Sequence, residues 1–470
     1  MLRLLRALGF AAVLAVLLVP LYRQATGANV RRHVQPAGRA ASSPIQHVIV
    51  IVMENRTVDN LFAGYYGSWK GVDLANPAGK PKLTQISLRT KWSPDHDHRK
   101  AFTTEFDGGK QDGWQNEQFA CPHHRCEPNP TALSYISTSE VAPYAAIAQN
   151  FAFADETFQA GEGPSFPAHQ YLIAAQAGGL ADSHGAQAGY AEAENPGDRG
   201  GRGQLEPLED LGGNRGFGCI GKSKTMFVDM KSAYPGTENL KQQFCLDYPT
   251  IFDLLDAQLG TGHKNWHYDT SNYSIWNAPL SVQHLYKAYL QHSRNVIKGR
   301  NGKQLLADLK HNDLPALTYV MPCFQNSDHP DSVSADGPKW VGYITNAIGS
   351  SAYWNSTAVV ILWDDWGGWY DHVKTGHPAN NPYENPSDPY EWGFRVPLIV
   401  ASPYVKKRGY VDHTQRSYSA VLRYIEDNFG LGSLAGDDAI NDDLSTMFDY
   451  SNKPLPWVPV DVGNYQPKSC

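Results

Sequence analysis

Two distant stretches of the chain each end an apolar run in a pair of hard oxygen donors. In Gln46–Phe62, QHVIVIVMENRTVDNLF, the apolar residues from Val48 to Met53 lead straight to Glu54 and Asn55; in TAVVILWDD, Thr357–Trp363 leads to Asp364 and Asp365. Carboxylates and an amide carbonyl suit a hard or borderline divalent cation. Three carboxylates brought together would repel one another strongly without a cation between them. A third stretch, ADETFQAGEGPSFPAHQYLIAAQAGG, carries Ser165. On the same cation its hydroxyl would have a lowered pKa and act as a nucleophile. Imidazoles nearby could hold phosphate oxygens and protonate a leaving group. That equipment is suited to phosphoryl transfer to a serine, followed by attack of water. Taken singly, each piece has a plainer role. A strand can simply run into a turn, with Asn55 and Asp59 capping the segment after it, and a serine in the setting of Ser165 is more commonly a helix N-cap.

The elements that must position these groups can be read from the pattern. An unbroken Val/Ile run implies a strand covered on both faces, as at the centre of a parallel sheet. Ligands in open α/β sheets sit beyond the carboxyl ends of such strands, where Glu54–Asn55 and Asp364–Asp365 stand. Leu317–Met321 is a further short strand that places Asp328 and His329 in the loop after it. Lys264–Tyr268 (KNWHY) is a short strand bearing His267, and Val396–Ala401 is another core strand. Helices are expected over Ala142–Phe153, Ile251–Leu259, Trp340–Ile348 and Tyr418–Phe429. Gly161, Gly163 and Pro164 force an irregular turn before Ser165, and Pro167 suits a first helical turn. Ser165 would therefore lie at a helix N-terminus, which favours an anion. The flanking prolines distinguish it from a G-x-S-x-G elbow. In SPDHDHRKAFTTEFDGGKQDGW, His96, Asp97 and His98 crowd a loop ahead of Gly108–Gly109, a modest sign of a site loop. Alternating strands and helices predict one α/β domain with long loops.

Composition bounds the rest. With 470 residues, 41% hydrophobic and 19% charged, the chain can bury a large core; 42 Gly and 31 Pro imply many long connections. A net charge of −7 supplies no basic footprint, so nucleic acid is not an expected partner. Arg3 and Arg6 precede an apolar run from Ala7 to Leu21, the pattern of a signal-peptide core or a retained N-terminal anchor. Residues 1–27 are read as that segment, with membrane contact open to residues 1–22, and residues 28–44 as a linker. Export to the cell envelope or beyond fits the even count of six cysteines. Cys121–Cys126 is the local disulfide candidate, ahead of a zinc site in CPHHRC, and Cys219–Cys245 is a weaker pairing. Residues 185–250 read as an inserted loop or lid within a domain spanning 45–470.

VMENRTVDNLF, GEGPSFPAHQYL and the SDHPD…WDDWGGWYDHV stretch together resemble the bacterial phosphoesterase family that contains non-haemolytic phospholipases C and an acid phosphatase, related to alkaline phosphatase. The resemblance runs from about Gln46 to about Phe429. It implies an alkaline-phosphatase-like three-layer α/β/α sandwich with long loop insertions and one divalent metal ion, with Ca, Mg, Mn, Fe and Zn all open. Carried over, Glu54, Asn55, Asp364 and Asp365 correspond to metal ligands, and Ser165 to a nucleophile that also touches the metal. His98 and His329 fit histidines that contact phosphate or the leaving group, and His267 fits another. The chain departs from the pattern after Pro167, where Ala168 and His169 stand in place of the common Asn. It also lacks the C-terminal extension of the larger phospholipases C. The implied activity is an exported, acid-phosphatase-like phosphomonoesterase working through phosphoserine. The alternatives are a phospholipase C acting on phosphatidylcholine-type lipids and a non-catalytic binding protein on the same scaffold. His169, His372 and His413 read as satisfied structural groups.

Overall fold

His47–Met53 forms β1, and every side chain from Val48 to Met53 is fully buried. Successive strand residues point to opposite faces, so Val48, Val50 and Val52 fill one side while Ile49, Ile51 and Met53 fill the other. Each such burial stabilises by ~1.5–3 kcal/mol relative to exposure. The computed structural model describes residues 43–96, 99–121, 130–177, 189–192, 219, 224–229, 242–243, 245, 247–262, 264–270, 276–291, 293–297, 299–375 and 392–468.

Around β1 lies an eight-stranded sheet. Its other strands, in chain order, are β2 (Ala152–Ala154), β3 (Trp266–Asp269), β4 (Val296–Ile297), β5 (Leu317–Val320), β6 (Thr357–Trp363), β7 (Leu398–Ala401) and β8 (Tyr410–Asp412). The spatial order is β4-β3-β5-β1-β6-β7-β2-β8. The five strands from β4 to β6 run parallel. β7 is antiparallel to both its neighbours, and β2 and β8 are parallel to each other.

The helices α1 (Val58–Phe62), α2 (Thr138–Asn150), α3 (Ser165–Ala174), α4 (Ile251–Leu259), α5 (Lys303–His311), α6 (Gly337–Gly349) and α7 (Ala420–Phe429) form two packed groups. α2 packs on α1 and α6, and α6 on α5; α3, α4 and α7 pack on one another. With both faces of the central strands buried, these groups make the outer layers of an α/β/α sandwich.

Several boundaries differ from the sequence pattern. The helix expected over Ala142–Phe153 starts at Thr138 and stops at Asn150. Ala152-Phe153-Ala154 instead enters the sheet, where small residues on either side of a buried Phe fit between β7 and β8. Gly189–Glu192, Lys224–Asp229 and Gln242–Gln243, inside the expected insertion, form a separate three-stranded sheet. Cys219 and Cys245 form the weaker of the two expected disulfides, and Cys121 and Cys323 each take part in a disulfide of their own. Cys126 and residues 1–42 lie outside the described residues. Among the described residues no helix is long and apolar enough to cross a membrane.

Candidate metal centre and nucleophile

The register of β1 against β6 ends at Met53 opposite Trp363. The ladder runs one step further, because the Asp364 amide donates to the Met53 carbonyl at 3.1 Å. Glu54 and Asp364 therefore leave the sheet side by side. The Glu54 amide donates to the Ser327 carbonyl at 2.8 Å, which brings the loop after β5 to the same edge. Asn55 then adopts a left-handed backbone, φ 56°, and its amide donates to Asp364 Oδ1 at 3.1 Å. That turn aims the Asn55 side chain back across the strand ends. Its Nδ2 donates to Asp365 Oδ2 at 2.6 Å and to Ser165 Oγ at 3.0 Å.

Ser165 opens α3 directly after Pro164. Pro164 is the N-cap residue, and the Ser165 hydroxyl turns to the acids instead: Oγ lies 2.9 Å from Asp365 Oδ2 and 3.2 Å from Glu54 Oε2. The N-cap role is thus not the one this serine fills. One turn further along α3, His169 Nε2 lies 2.8 Å from Glu54 Oε1 and 3.5 Å from Asp364 Oδ2. The structure brings His169 into the cluster, against the expectation that it is a structural group elsewhere. The available signal was its i, i+4 spacing from Ser165, which puts both on one helix face.

Burial first, and then the negative charges of Asp364 and Asp365, hold the Glu54 carboxyl well above the usual range. Burial and the neighbouring Asp365 do the same to Asp364. Burial pushes the His169 imidazole down to about 3, so the ring is neutral. Two oxygens in the cluster, Asn55 Oδ1 and Asp364 Oδ2, are buried without a hydrogen-bond partner. Crowded acids that resist ionisation, beside orphaned oxygens, form the donor set that a divalent cation satisfies. The residues therefore fit a metal, and ligand atoms of Glu54, His169 and Asp364 all lie within 4.8 Å of one another.

The rim comes from the loop after β5 and from the Ser93–Trp114 region. His329 follows the loop that touches Glu54, and its Nδ1 pairs with Asp331 Oδ1 at 2.6 Å. Its ring centroid lies 5.4 Å from that of His96 and 6.1 Å from that of Trp276. Arg56 anchors this loop, donating through Nε (2.9 Å) and Nη2 (2.7 Å) to the Asp328 carbonyl. His98 lies outside the described residues; His96, two positions earlier in the same motif, stands beside His329. His267 is not brought to the cluster. It pairs in register with Thr318, which itself pairs with Ile49, well below the carboxyl ends of the strands. Its Nδ1 is bound to Asp308 Oδ2 at 2.9 Å, so the structure does not bring His267 together with Glu54 and Asp364. The KNWHY pattern marked a strand but not which end of it faces the ligand edge.

A second acidic group, Asp59, Asp371 and His372, is built differently. Arg395 Nε donates to Asp371 Oδ1 at 2.9 Å, and Nη2 lies 3.3 Å from both Asp371 Oδ2 and Asp59 Oδ1. His372 Nδ1 meets Asp59 Oδ2 at 2.7 Å. Every carboxylate oxygen there has a hydrogen-bond partner, and this network fastens the loop carrying Asp365 to α1. His413 likewise pairs with Asp155, at 2.7 Å.

A sequence model of the Phosphoesterase family matches residues 45–432. Non-specific phospholipase C6 of Arabidopsis thaliana is 24% identical over 442 residues, covering 85% of this chain and 71% of that protein. The hemolytic phospholipase C of Pseudomonas aeruginosa is 24% identical over 473 residues, covering 89% and 58% respectively. The non-hemolytic phospholipase C of that organism is 23% identical over 460 residues, covering 88% and 59%. The chain thus spans less than two thirds of the length of either Pseudomonas relative. Among solved structures, a protein in the alkaline phosphatase superfamily from Vibrio parahaemolyticus aligns with a TM-score of 0.40 at 9% identity, covering 86% of this chain and 71% of that one.

Proposed function

The chain belongs to the Phosphoesterase family, and so to the phosphoric-ester hydrolases, and from that premise we propose that it passes a phosphoryl group through Ser165 and releases it to water. The observation that carries this reading is the Ser165 hydroxyl, set 2.9 Å from Asp365 Oδ2 and 3.2 Å from Glu54 Oε2 at the opening turn of a helix. Glu54, Asn55, Asp364, Asp365 and Ser165 would hold one divalent cation, which when bound supplies charge neutralisation and a lowered pKa for the hydroxyl.

In the first step the bond from Ser165 Oγ to phosphorus forms as the bond from phosphorus to the ester oxygen breaks. The hydroxyl proton passes to Asp365 Oδ2, and the departing oxygen takes a proton from the His329 imidazolium. In the second step neutral His329 takes a proton from the attacking water, and Ser165 Oγ leaves with the proton returned by Asp365. The amides of the first turn of α3 face incoming anionic oxygens with the positive end of the helix dipole. His98, carried over from the family resemblance, is a proposed further phosphate contact, with His96 beside it.

Phosphomonoesters are the first substrate class proposed. A second reading, phospholipase C action on a phosphatidylcholine-type lipid, is favoured by the names of the relatives. It is also favoured by Trp276 and Phe324 beside His329, since aromatic faces suit a quaternary ammonium. Export directed by residues 1–27 belongs to the same proposal. The test compares hydrolysis of p-nitrophenyl phosphate and of phosphatidylcholine vesicles by wild type and Ser165→Ala. Loss of both activities in the variant, with cation binding weakened but still measurable through the remaining four ligands, supports the serine. Activity on lipid alone replaces the monoester reading, and a fully active variant refutes the mechanism.

A further inference from the structure

His169 has no part in the proposed phosphoryl-transfer steps, yet it is almost fully buried and lies against two of the proposed ligands. The two oxygens of Glu54 face different ways. Oε2 looks toward Ser165 at 3.2 Å, while Oε1 looks toward His169 Nε2 at 2.8 Å. The same nitrogen lies 3.5 Å from Asp364 Oδ2. Nε2 is the ring nitrogen with a hydrogen-bond partner, Glu54 Oε1, and it serves as donor to the Glu54 carboxylate that a bound cation would keep ionised. Nδ1 is then the bare lone pair, and it has no hydrogen-bond partner. The ring plane is fixed from outside. Trp276 lies nearly parallel to it, at 6.5 Å between centroids and 19° between planes, and Phe324 continues the stack at 6.0 Å and 21°.

We propose that His169 is a positioning residue for the metal centre: its Nε2–H holds Glu54 Oε1 and sets the angle at which that carboxylate presents its other oxygen to the cation. The imidazole is not itself a ligand. Ser165 and His169, one turn apart on α3, thus deliver a nucleophile and a carboxylate clamp from a single helix face. This rests on the proposed function's metal site.

Outer contacts of this kind change metal affinity by about 10–100-fold when removed. Mn2+ binding to the full chain, measured by calorimetry, is the primary readout. His169→Phe fills the ring volume against Trp276 without a donor and is expected to weaken Mn2+ binding by about 10–100-fold. His169→Gln restores an N–H donor and is expected to recover most of that loss. Equal Kd values for wild type and His169→Phe would overturn the proposal, as would a His169→Gln as weak as His169→Phe. If His169→Phe fails to fold, His169→Leu takes its place as the variant without a donor, and pulsed EPR of Mn2+ on the wild type gives an independent answer. A directly coordinated 14N coupling would make His169 a ligand and refute the clamp, whereas its absence supports it. Wild type that binds no Mn2+, Ca2+, Mg2+, Fe2+ or Zn2+ would instead remove the metal reading itself, an outcome distinct from a metal-binding wild type with an indifferent His169.

Discussion

Gly367 lies against Asn55 so closely that a Cβ on it would stand 2.8 Å from the Asn55 Cβ and closer still to the Asn55 carbonyl oxygen. Gly367 also has φ +64°, and its amide donates to Asp365 Oδ1 at 2.8 Å. The bend after Asp365 and the left-handed turn at Asn55 are therefore fitted to each other. Gly367→Ala should displace Asn55, destabilise the fold by about 1–3 kcal/mol and weaken both cation binding and hydrolysis. Denaturant titration alongside Mn2+ calorimetry checks this; a variant with wild-type affinity would mean that the fit is not needed.

Cation removal should lower thermal stability. A ligand held at a hundredfold excess over its Kd stabilises by about 2.7 kcal/mol, which for a chain of this size is a few degrees of melting temperature. The pH dependence has a definite sign. The folded pKa values of Glu54 and Asp364 lie above their unfolded ones, so the metal-free fold is favoured at acid pH and loses stability as these groups are forced to ionise. The gap between loaded and chelated melting temperatures should widen from acid to neutral pH. Calorimetric scans across that range with and without EDTA decide it.

The Asp59–His372 pair predicts a second pH effect at the other end of the scale. Burial alone would lower the His372 pKa, but the hydrogen bond and charge of Asp59, helped by Asp371, raise it to about 9. A raised histidine pKa contributes stability that is fully present below the unfolded value of 6.5 and is lost as pH climbs through about 9. His372→Gln should melt below wild type at mildly acid pH, with the difference fading in alkali. A difference independent of pH would assign the effect to packing.

Arg56 is fully buried, with its guanidinium 4.9 Å from the Trp369 ring centroid. Replacing it by Met would leave the Asp328 carbonyl without its two donors and the buried Asp328 carboxyl without a counter-charge. A loss of about 3–5 kcal/mol is expected. Because this loop carries His329, a folded Arg56→Lys variant should lose kcat more than KM. Steady-state kinetics with urea unfolding test the prediction.

The pattern in Val48–Met53 and Thr357–Trp363 was enough to identify two central strands and the edge at which they release their acids, because burial on both faces leaves no polar alternation to misread. Ser165 was legible for the same local reason: glycine and proline before it and helical residues after it. His169 was harder to read, because its role depends on which way α3 faces the sheet, and the i, i+4 spacing alone also suits a packed helix. The position of His267 was hard to read for a related reason: a strand sequence shows alternation but not how far along the sheet a given residue sits. The Ala142–Phe153 boundary failed because Ala and Phe serve a helix end and a short buried strand equally well.

The side-by-side exit of Glu54 and Asp364 ties cation capture to the history of the chain. One partner is made early and the other far later, and nothing local joins them until Thr357–Trp363 has slotted in next to His47–Met53. A nascent chain that stops short of Asp364 holds only half of the cage. Tight uptake of a divalent ion should therefore mark the moment when the middle of the sheet closes, so a metal-sensitive probe would also serve as a clock for the last stage of folding.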